Sequence, residues 1–252
     1  RYVDNILSAG RNLLDLINSL LEMAKVEAGK VELRLKAVNP KELCEQLCAM
    51  MRPQADKRNV ELRLEVPDSP PPAITTDPGK LQQIIFNLLS NAVKFTGDMA
   101  DEHRAVASKR AYDLPDSAGL VEPTHPAVVT LRLEHLIARN PDTGATEDKL
   151  RFCVLDSGPG IAPEDQRRIF DKFTQLDSGY GRKHAGTGLG LAICKELTSM
   201  LQGEISVQSE LNRGSMFSVI IPLNLDRKVA AEARLEQTFR GQLAATKPEP
   251  AV

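Results

Sequence analysis

The 252-residue sequence predicts an α+β fold: a mixed β-sheet backed by α-helices and preceded by a long bundle helix. Three observations predict it. Segments alternating apolar and polar residues are mixed with segments of helical period, without a regular strand–helix–strand alternation. The first 28 residues keep an apolar heptad seam. Hydrophobic residues make up 42% and charged residues 26%, the balance of a folded globular chain rather than a disordered one.

The elements follow in order. Val3, Ile6, Gly10, Leu13, Ile17, Leu20 and Ala24 recur at alternating steps of three and four, and Leu7, Leu14 and Leu21 widen that face. A face this wide suits a four-helix arrangement better than a two-stranded seam, and Gly29 ends the helix. Residues 31–38 alternate as a strand. Asn39-Pro40 supplies a cap and a first-turn proline for a helix to about Lys57. Val60, Leu62, Leu64 and Val66 mark a half-buried strand, and 67–72 is a turn-rich connector. Asp77-Pro78 caps a helix to about Phe95. Residues 97–126 show no period and are rich in Gly, Asp, Ser, Pro and Ala, which predicts a long loop or insertion. Strands over 128–137 and 150–156, around a turn cluster at 140–148, form a hairpin. A short helix over 163–173, a glycine-rich stretch over 178–190, a helix over 191–201 and a hairpin of 204–209 with 215–223 follow. A polar helical tail over 225–243 and a frayed end close the chain.

At roughly 150 residues per domain, the length fits one large domain or two modest ones. With 32 basic and 34 acidic residues the net charge is −2, which excludes nucleic-acid or anionic-membrane binding driven by bulk charge. No apolar run reaches ~18 residues, so no membrane contact is expected within the chain. The start has no signal-peptide pattern, and a chain opening at Arg1 in helical sequence reads as a piece of something longer. Cys44, Cys48, Cys153 and Cys194 lack metal-ligand spacing and read as small buried apolar groups in a reducing compartment.

The helix from Pro78 divides its faces unusually. Leu81, Ile84, Ile85, Leu88, Leu89 and Ala92 form a core stripe. Lys80, Gln83, Asn87, Asn91 and Lys94, spaced three, four, four and three, share the other side. This stripe holds amides and lysines without a carboxylate. Neutral oxygens beside cations suit a hard metal ion and phosphates, although a plain solvated face has the same spacing. Asp156-Ser157-Gly158-Pro159-Gly160-Ile161 follows an apolar strand. A carboxylate there can accept from an exocyclic amine, and the glycines let backbone approach a flat ring. Gly186-Thr187-Gly188-Leu189-Gly190-Leu191 opens a helix whose backbone N–H groups suit phosphate. No Gly-Lys-Ser/Thr follows, so it is not a P-loop. Each loop taken alone is equally compatible with an ordinary turn.

Together these elements resemble the sensor histidine kinases of two-component systems. Leu81-Gln-Gln-Ile-Ile-Phe-Asn-Leu-Leu-Ser-Asn-Ala-Val-Lys-Phe-Thr96 is similar to their N box, and Asp156 to Ile161 to their first glycine box. Ile169-Phe-Asp-Lys-Phe173 resembles the F box, Gly186 to Leu191 the second glycine box, and Gly214-Ser-Met-Phe217 the last glycine motif. Leu20-Leu-Glu-Met-Ala-Lys-Val-Glu-Ala-Gly29 resembles the end of the second helix of the dimerisation and phosphotransfer hairpin.

The resemblance implies the Bergerat ATP-binding sandwich over 31–223, the partial hairpin helix over 1–30, and a tail over 224–252. It implies ATP and Mg²⁺ as cofactors, with Asn91 and Asn87 at the metal and phosphates and Lys94 on phosphate. Asp156 would take the adenine amino group, with Gly160 and Ile161 lining the ring, and Phe95, Gly158 and Ser215 would be further cofactor-binding positions. Residues 174–185 would form the lid, flanked by Phe173 and by Gly186, Thr187, Gly188, Leu189, Gly190 and Leu191 at the phosphates. The expected activity is transfer of the ATP γ-phosphoryl to a His upstream of this chain, for relay to a response-regulator receiver domain. A homodimer through the 1–28 helix and a cytoplasmic location, free or as part of a membrane-bound sensor, are implied with it.

Two departures stand out. None of His103, His125, His135 and His184 has the context of a phosphoacceptor, so the chain is not expected to label itself. Residues 97–126 are extra relative to the usual connection, and their chemistry names no ligand. Two other readings stay open: a non-catalytic ATP-binding signalling module, and an ATP-hydrolysing relative of gyrase type. The latter places a glutamate base where this chain has Asn87, an amide that cannot take a proton.

Overall fold

The computed structural model describes residues 31–69, 73–113, 126–139, 146–175 and 188–225, with positions 10, 13, 14, 17, 18, 20, 21, 23–25 and 28 of the first segment. The described positions between 10 and 25 are helical. The long elements are helix α1 (Pro40–Lys57), helix α2 (Pro78–Asp113) and helix α3 (Gly190–Met200). The strands are β1 (Lys36–Val38), β2 (Glu61–Glu65), β3 (Ile74–Thr76), β4 (Val128–Arg139), β5 (Thr146–Asp156), β6 (Glu204–Glu210) and β7 (Gly214–Pro222).

Local chemistry sets the helix starts. The Asn39 side chain accepts from the N–H groups of Lys41 and Glu42, and its amide donates to Glu42 Oε1 at 2.8 Å, a reciprocal cap ahead of Pro40. Asp77 Oδ1 accepts from Lys80 N–H at 3.1 Å to cap α2. Five strands form one sheet in the order β2-β4-β5-β7-β6, antiparallel except for β2 beside β4. Leu131, Leu133, Phe152, Val154, Val219 and Ile221 face inward, against Leu81, Ile84, Ile85, Leu88 and Leu89 of α2 and Leu197 of α3. On the other face Arg132 pairs with Glu65 at 2.6 Å and Arg151 with Glu134, so the strands alternate a buried apolar side with an ionic one. A small sheet of β1 and β3 is extended by 223–225, which bonds Thr75 through Leu223 O and Leu225 N.

Several expectations need correction. Residues 97–113 are not a loop: α2 continues through them to Asp113. Gly97 does not break the helix because Arg58 packs there, 2.9 Å from where a Gly97 Cβ would stand, and its guanidinium bonds Asp98 Oδ1 at 2.8 Å and Lys94 O at 3.3 Å. The rest of the expected insertion up to residue 125 lies outside the described residues. Residues 163–173 form successive turns rather than a helix, with Ala162 O and Asp165 O each accepting two N–H groups. Strand 31–38 shortens to β1, and β3 was not foreseen. The tail over 226–252 lies outside the described residues. All four cysteines are buried, and none forms a disulfide. Burial pushes the Cys44 thiol up to about 12, with Cys48 and Glu45 adding to it, so this thiol is not a nucleophile at neutral pH.

Candidate functional site

The carboxylate of Asp156 sits where β5 ends, opposite Val129 of β4 and Ser215 of β7. Burial raises its pKa from 3.8 to about 6, while hydrogen bonds from Gly158 and Ser215 act in the opposite direction. The Gly158 N–H donates to Asp156 Oδ1 at 2.9 Å. The loop after Asp156 is tied to the β6–β7 hairpin. Ser209 Oγ accepts from Ile161 N–H at 2.8 Å, donates to Gly214 O at 2.9 Å and lies 3.0 Å from Ser215 Oγ. Gln166 Nε2 donates to Ile161 O and Ser209 O at 3.0 and 2.8 Å, and Asn212 N–H to Pro159 O at 2.7 Å. Sequence reasoning missed Ser209 and Gln166, whose partners are distant in the chain.

Gly160 has φ +69°, and a Cβ there would stand 2.0 Å from Glu210 O. Both facts require glycine. Gly160→Ala should therefore destabilise the domain by at least ~1–3 kcal/mol, the usual range for backbone strain, with the clash added. A thermal melt would check this, and a midpoint equal to that of the unmodified chain would contradict it.

A second cluster lies further back along α2. Asn87 Nδ2 donates to Gly190 O at 3.0 Å, and Asn91 Nδ2 donates to Asn87 Oδ1 at 3.5 Å. A Cβ on Gly190 would stand 2.9 Å from Asn87 Nδ2, so the glycine lets the start of α3 close onto the amide stripe. Lys94 is half-buried with its Nζ 5.2 Å from the Phe95 ring centroid. Burial lowers its pKa and Arg58 adds to that, while Asp98 opposes it. α3 starts without a side-chain cap at Leu189, and a helix N-terminus of this kind suits an anion.

Phe173 and Gly188, on either side of the segment expected as a lid, meet: Phe173 N–H donates to Gly188 O at 3.1 Å, with φ +61° and +68° at these two residues. Leu189 is buried, Leu191 packs partly against the core, and the Phe173 side chain is exposed. Gly186, Thr187, His184 and most of the expected lid lie outside the described residues.

One helix thus presents both clusters. Asn87 meets Gly190, and Thr96 meets Gly158 beside Asp156. Nine residues at 1.5 Å each separate these points by roughly 13 Å, room for an elongated ligand with a base at one end and phosphates at the other. The amide oxygens and Lys94 suit a hard cation and anions. Among the described residues no group of three or more His, Cys, Asp or Glu could hold a metal by itself. A cation here would thus be shared with ligand oxygens. His135 stands on β4 six residues from Val129, 3.8 Å from Asp148, and belongs to neither cluster.

Comparison with known proteins bears on the family and the fold. The family described as histidine kinase-, DNA gyrase B-, and HSP90-like ATPase matches residues 76–225. The circadian input-output histidine kinase CikA of Thermosynechococcus vestitus is 34% identical over 222 residues, 88% of this chain and 25% of that protein. Full-length ShkA, crystallised with AMPPNP, shares 32% identity at a TM-score of 0.64, over 88% of this chain and 38% of that one. ThkA, crystallised with the response regulator TrrA, shares 20% identity at a TM-score of 0.59, over 88% of this chain and 50% of that one; at this identity the likeness concerns fold. The chain spans about a quarter of the length of the curated relatives it matches.

Proposed function

The chain belongs to the histidine kinase-, DNA gyrase B- and HSP90-like ATPase family, and from that premise we propose that it is the ATP-binding catalytic core of a sensor histidine kinase. It binds ATP and transfers the γ-phosphoryl to a histidine on a segment upstream of residue 1, for relay to a response-regulator receiver domain. The AMPPNP complex of ShkA supports the assignment of ATP binding.

The observation that carries the choice of transfer over hydrolysis is Asn87. A water-activating base would stand one turn before Asn91, and this chain has there an amide tied to Gly190. Phosphoryl transfer relies on positioning and charge neutralisation more than on covalent help from the protein, which an amide stripe can supply. Asp156 accepts the adenine amino group over Gly158, Gly160 and Ile161. Lys94 and the N–H groups from Gly188 to Leu191 hold the phosphates, with Gly186 and Thr187 completing that loop. The donor chemistry fits Mg²⁺: Asn91, with Asn87 beside it, would hold the ion by neutral oxygens. The ion would neutralise charge on the phosphates.

Radiolabelled ATP tests the reading. With the dimerisation hairpin of a related histidine kinase supplied as acceptor, label should appear on the hairpin as an acid-labile phosphohistidine. The chain alone should stay unlabelled and hydrolyse ATP slowly. Fast phosphate release without acceptor would support the gyrase-type alternative. ATP binding without any transfer would support the non-catalytic one.

Assembly follows from the first segment. Leu13, Leu14, Ile17, Leu20 and Leu21 are exposed, whereas Met23 is buried against the domain. An apolar stripe of this kind favours burial at ~25 cal/mol per Å². It forms a homodimer with an upstream helix and a second copy, in a cytoplasmic setting. Among the described residues no helix is long and apolar enough to cross a membrane. Light scattering should find the chain self-associated at high micromolar concentration, and Leu13→Glu with Ile17→Glu monomeric with unchanged ADP affinity. A monomeric unmodified chain would contradict this account.

A further inference from the structure

We propose that Arg58 is a positioning residue for the nucleotide phosphates: by engaging Asp98 it shields the Lys94 ammonium from that carboxylate. The inference rests on the nucleotide reading above and adds to it a residue outside every motif of the resemblance. Lys94 and Asp98 stand four residues apart on α2, the spacing at which an ammonium and a carboxylate on one helix attract each other. A carboxylate beside a phosphate-binding lysine works against it twice, because it competes for the ammonium and repels the phosphate. Only 10% of the Asp98 side chain is exposed, so solvent and salt screen its charge less than they would at the surface.

Arg58 meets this turn of α2 from the side. Its Nη1 donates to Asp98 Oδ1 at 2.8 Å and to Lys94 O at 3.3 Å, so one guanidinium spans the turn between the two residues. The arginine is held in place before any ligand arrives. Its backbone ends α1, with the Arg58 N–H on Ala55 O at 3.0 Å, and Asn59 at φ +52° then turns the chain toward β2. Gly97 lets the stem lie against α2: a Cβ there would stand 2.9, 3.3 and 3.1 Å from Arg58 Cβ, Cγ and Cδ. Both charges are felt at the ammonium. Burial is the main influence that lowers the Lys94 pKa; after it, Asp98 acts to raise that pKa and Arg58 to lower it. Arg58 and Asp98 thus act on Lys94 with opposite signs, and without the guanidinium the pull of the carboxylate would stand alone. A purely structural arginine, carrying α2 past Gly97, would affect the whole domain; a shielding one affects the phosphates.

The test measures ADP affinity by calorimetry and adenosine affinity by NMR titration, with a thermal melt of each variant. Arg58→Met keeps the stem that packs on Gly97 and removes the charge and the donors. ADP affinity should fall about fivefold in Arg58→Met, the upper end of what a partly exposed ion pair is worth. Adenosine, which has no phosphate, should bind as to the unmodified chain. Arg58→Lys should keep most of the ADP affinity, and Arg58→Met with Asp98→Asn should restore it, because the unshielded carboxylate is then gone. Unchanged ADP affinity in Arg58→Met, an equal loss for ADP and adenosine, or a double variant as weak as Arg58→Met would each overturn the inference while leaving the nucleotide reading intact. If methionine prevents folding, Arg58→Gln with and without Asp98→Asn carries the same comparison. Failure of the unmodified chain to bind ADP would overturn the nucleotide reading, and this inference with it.

Discussion

Asn91→Ala should lower phosphoryl transfer to an acceptor histidine by at least about 10²-fold, the scale on which misplacing reacting groups by an ångström acts. The side chain lies mid-way along the polar stripe of α2. Its Nδ2 donates toward Asn87 Oδ1 at 3.5 Å, which leaves its oxygen for a cation. Asn87 is fixed by Gly190 at 3.0 Å, so the pair is positioned before any ligand arrives. Transfer depends on charge neutralisation at the phosphates, and removing the oxygen misplaces the cation that supplies it. ADP binding should persist, because Asp156 and the glycine loops are untouched. Calorimetry with Mg²⁺ and with a chelator should show a difference for the unmodified chain that shrinks or disappears in Asn91→Ala. Transfer within threefold of the unmodified chain would remove Asn91 from the mechanism.

What could be read in the sequence was what is encoded locally. The start of α1 was legible because Asn39, Pro40 and Glu42 are neighbours that cap one another. Asp156 and its glycines were legible because an apolar strand ending in a carboxylate and two glycines is a local pattern. The end of α2 was not. Gly97-Asp98 resembles a stop, and only Arg58, from the far end of α1, makes it a packing site. Ala, Glu, Lys and Arg between 99 and 111 were the helix-forming signal passed over. β3 is three residues long, too short to show a period, and exists because β1 and 223–225 flank it. Ser209 and Gln166 acquire their roles only when the β6–β7 hairpin closes on the loop after Asp156. No spacing announces such residues.

Asp156→Asn should weaken ADP binding by roughly 10- to 150-fold, the equivalent of ~1.5–3 kcal/mol for a hydrogen bond to a charged group. It should also remove a pH dependence. Burial holds the carboxyl near a pKa of about 6 against 3.8 when solvated, so the empty domain binds a proton that the unfolded chain has already lost. The sign for folding follows. The stability associated with this proton is fully present below pH 3.8 and is lost as pH rises through about 6. For nucleotide binding the direction reverses. The adenine amine donates to the ionised carboxylate, so binding favours the charged form and affinity should fall as pH drops below about 6. The phosphates of ADP titrate in the same range, so the readout is the difference between the unmodified chain and Asp156→Asn across pH 5 to 8. That difference should narrow toward pH 5 and level off above pH 7. A constant difference over the whole range would mean that Asp156 is ionised throughout and that burial is offset by its hydrogen bonds. Equal affinities at every pH would remove Asp156 from the base pocket.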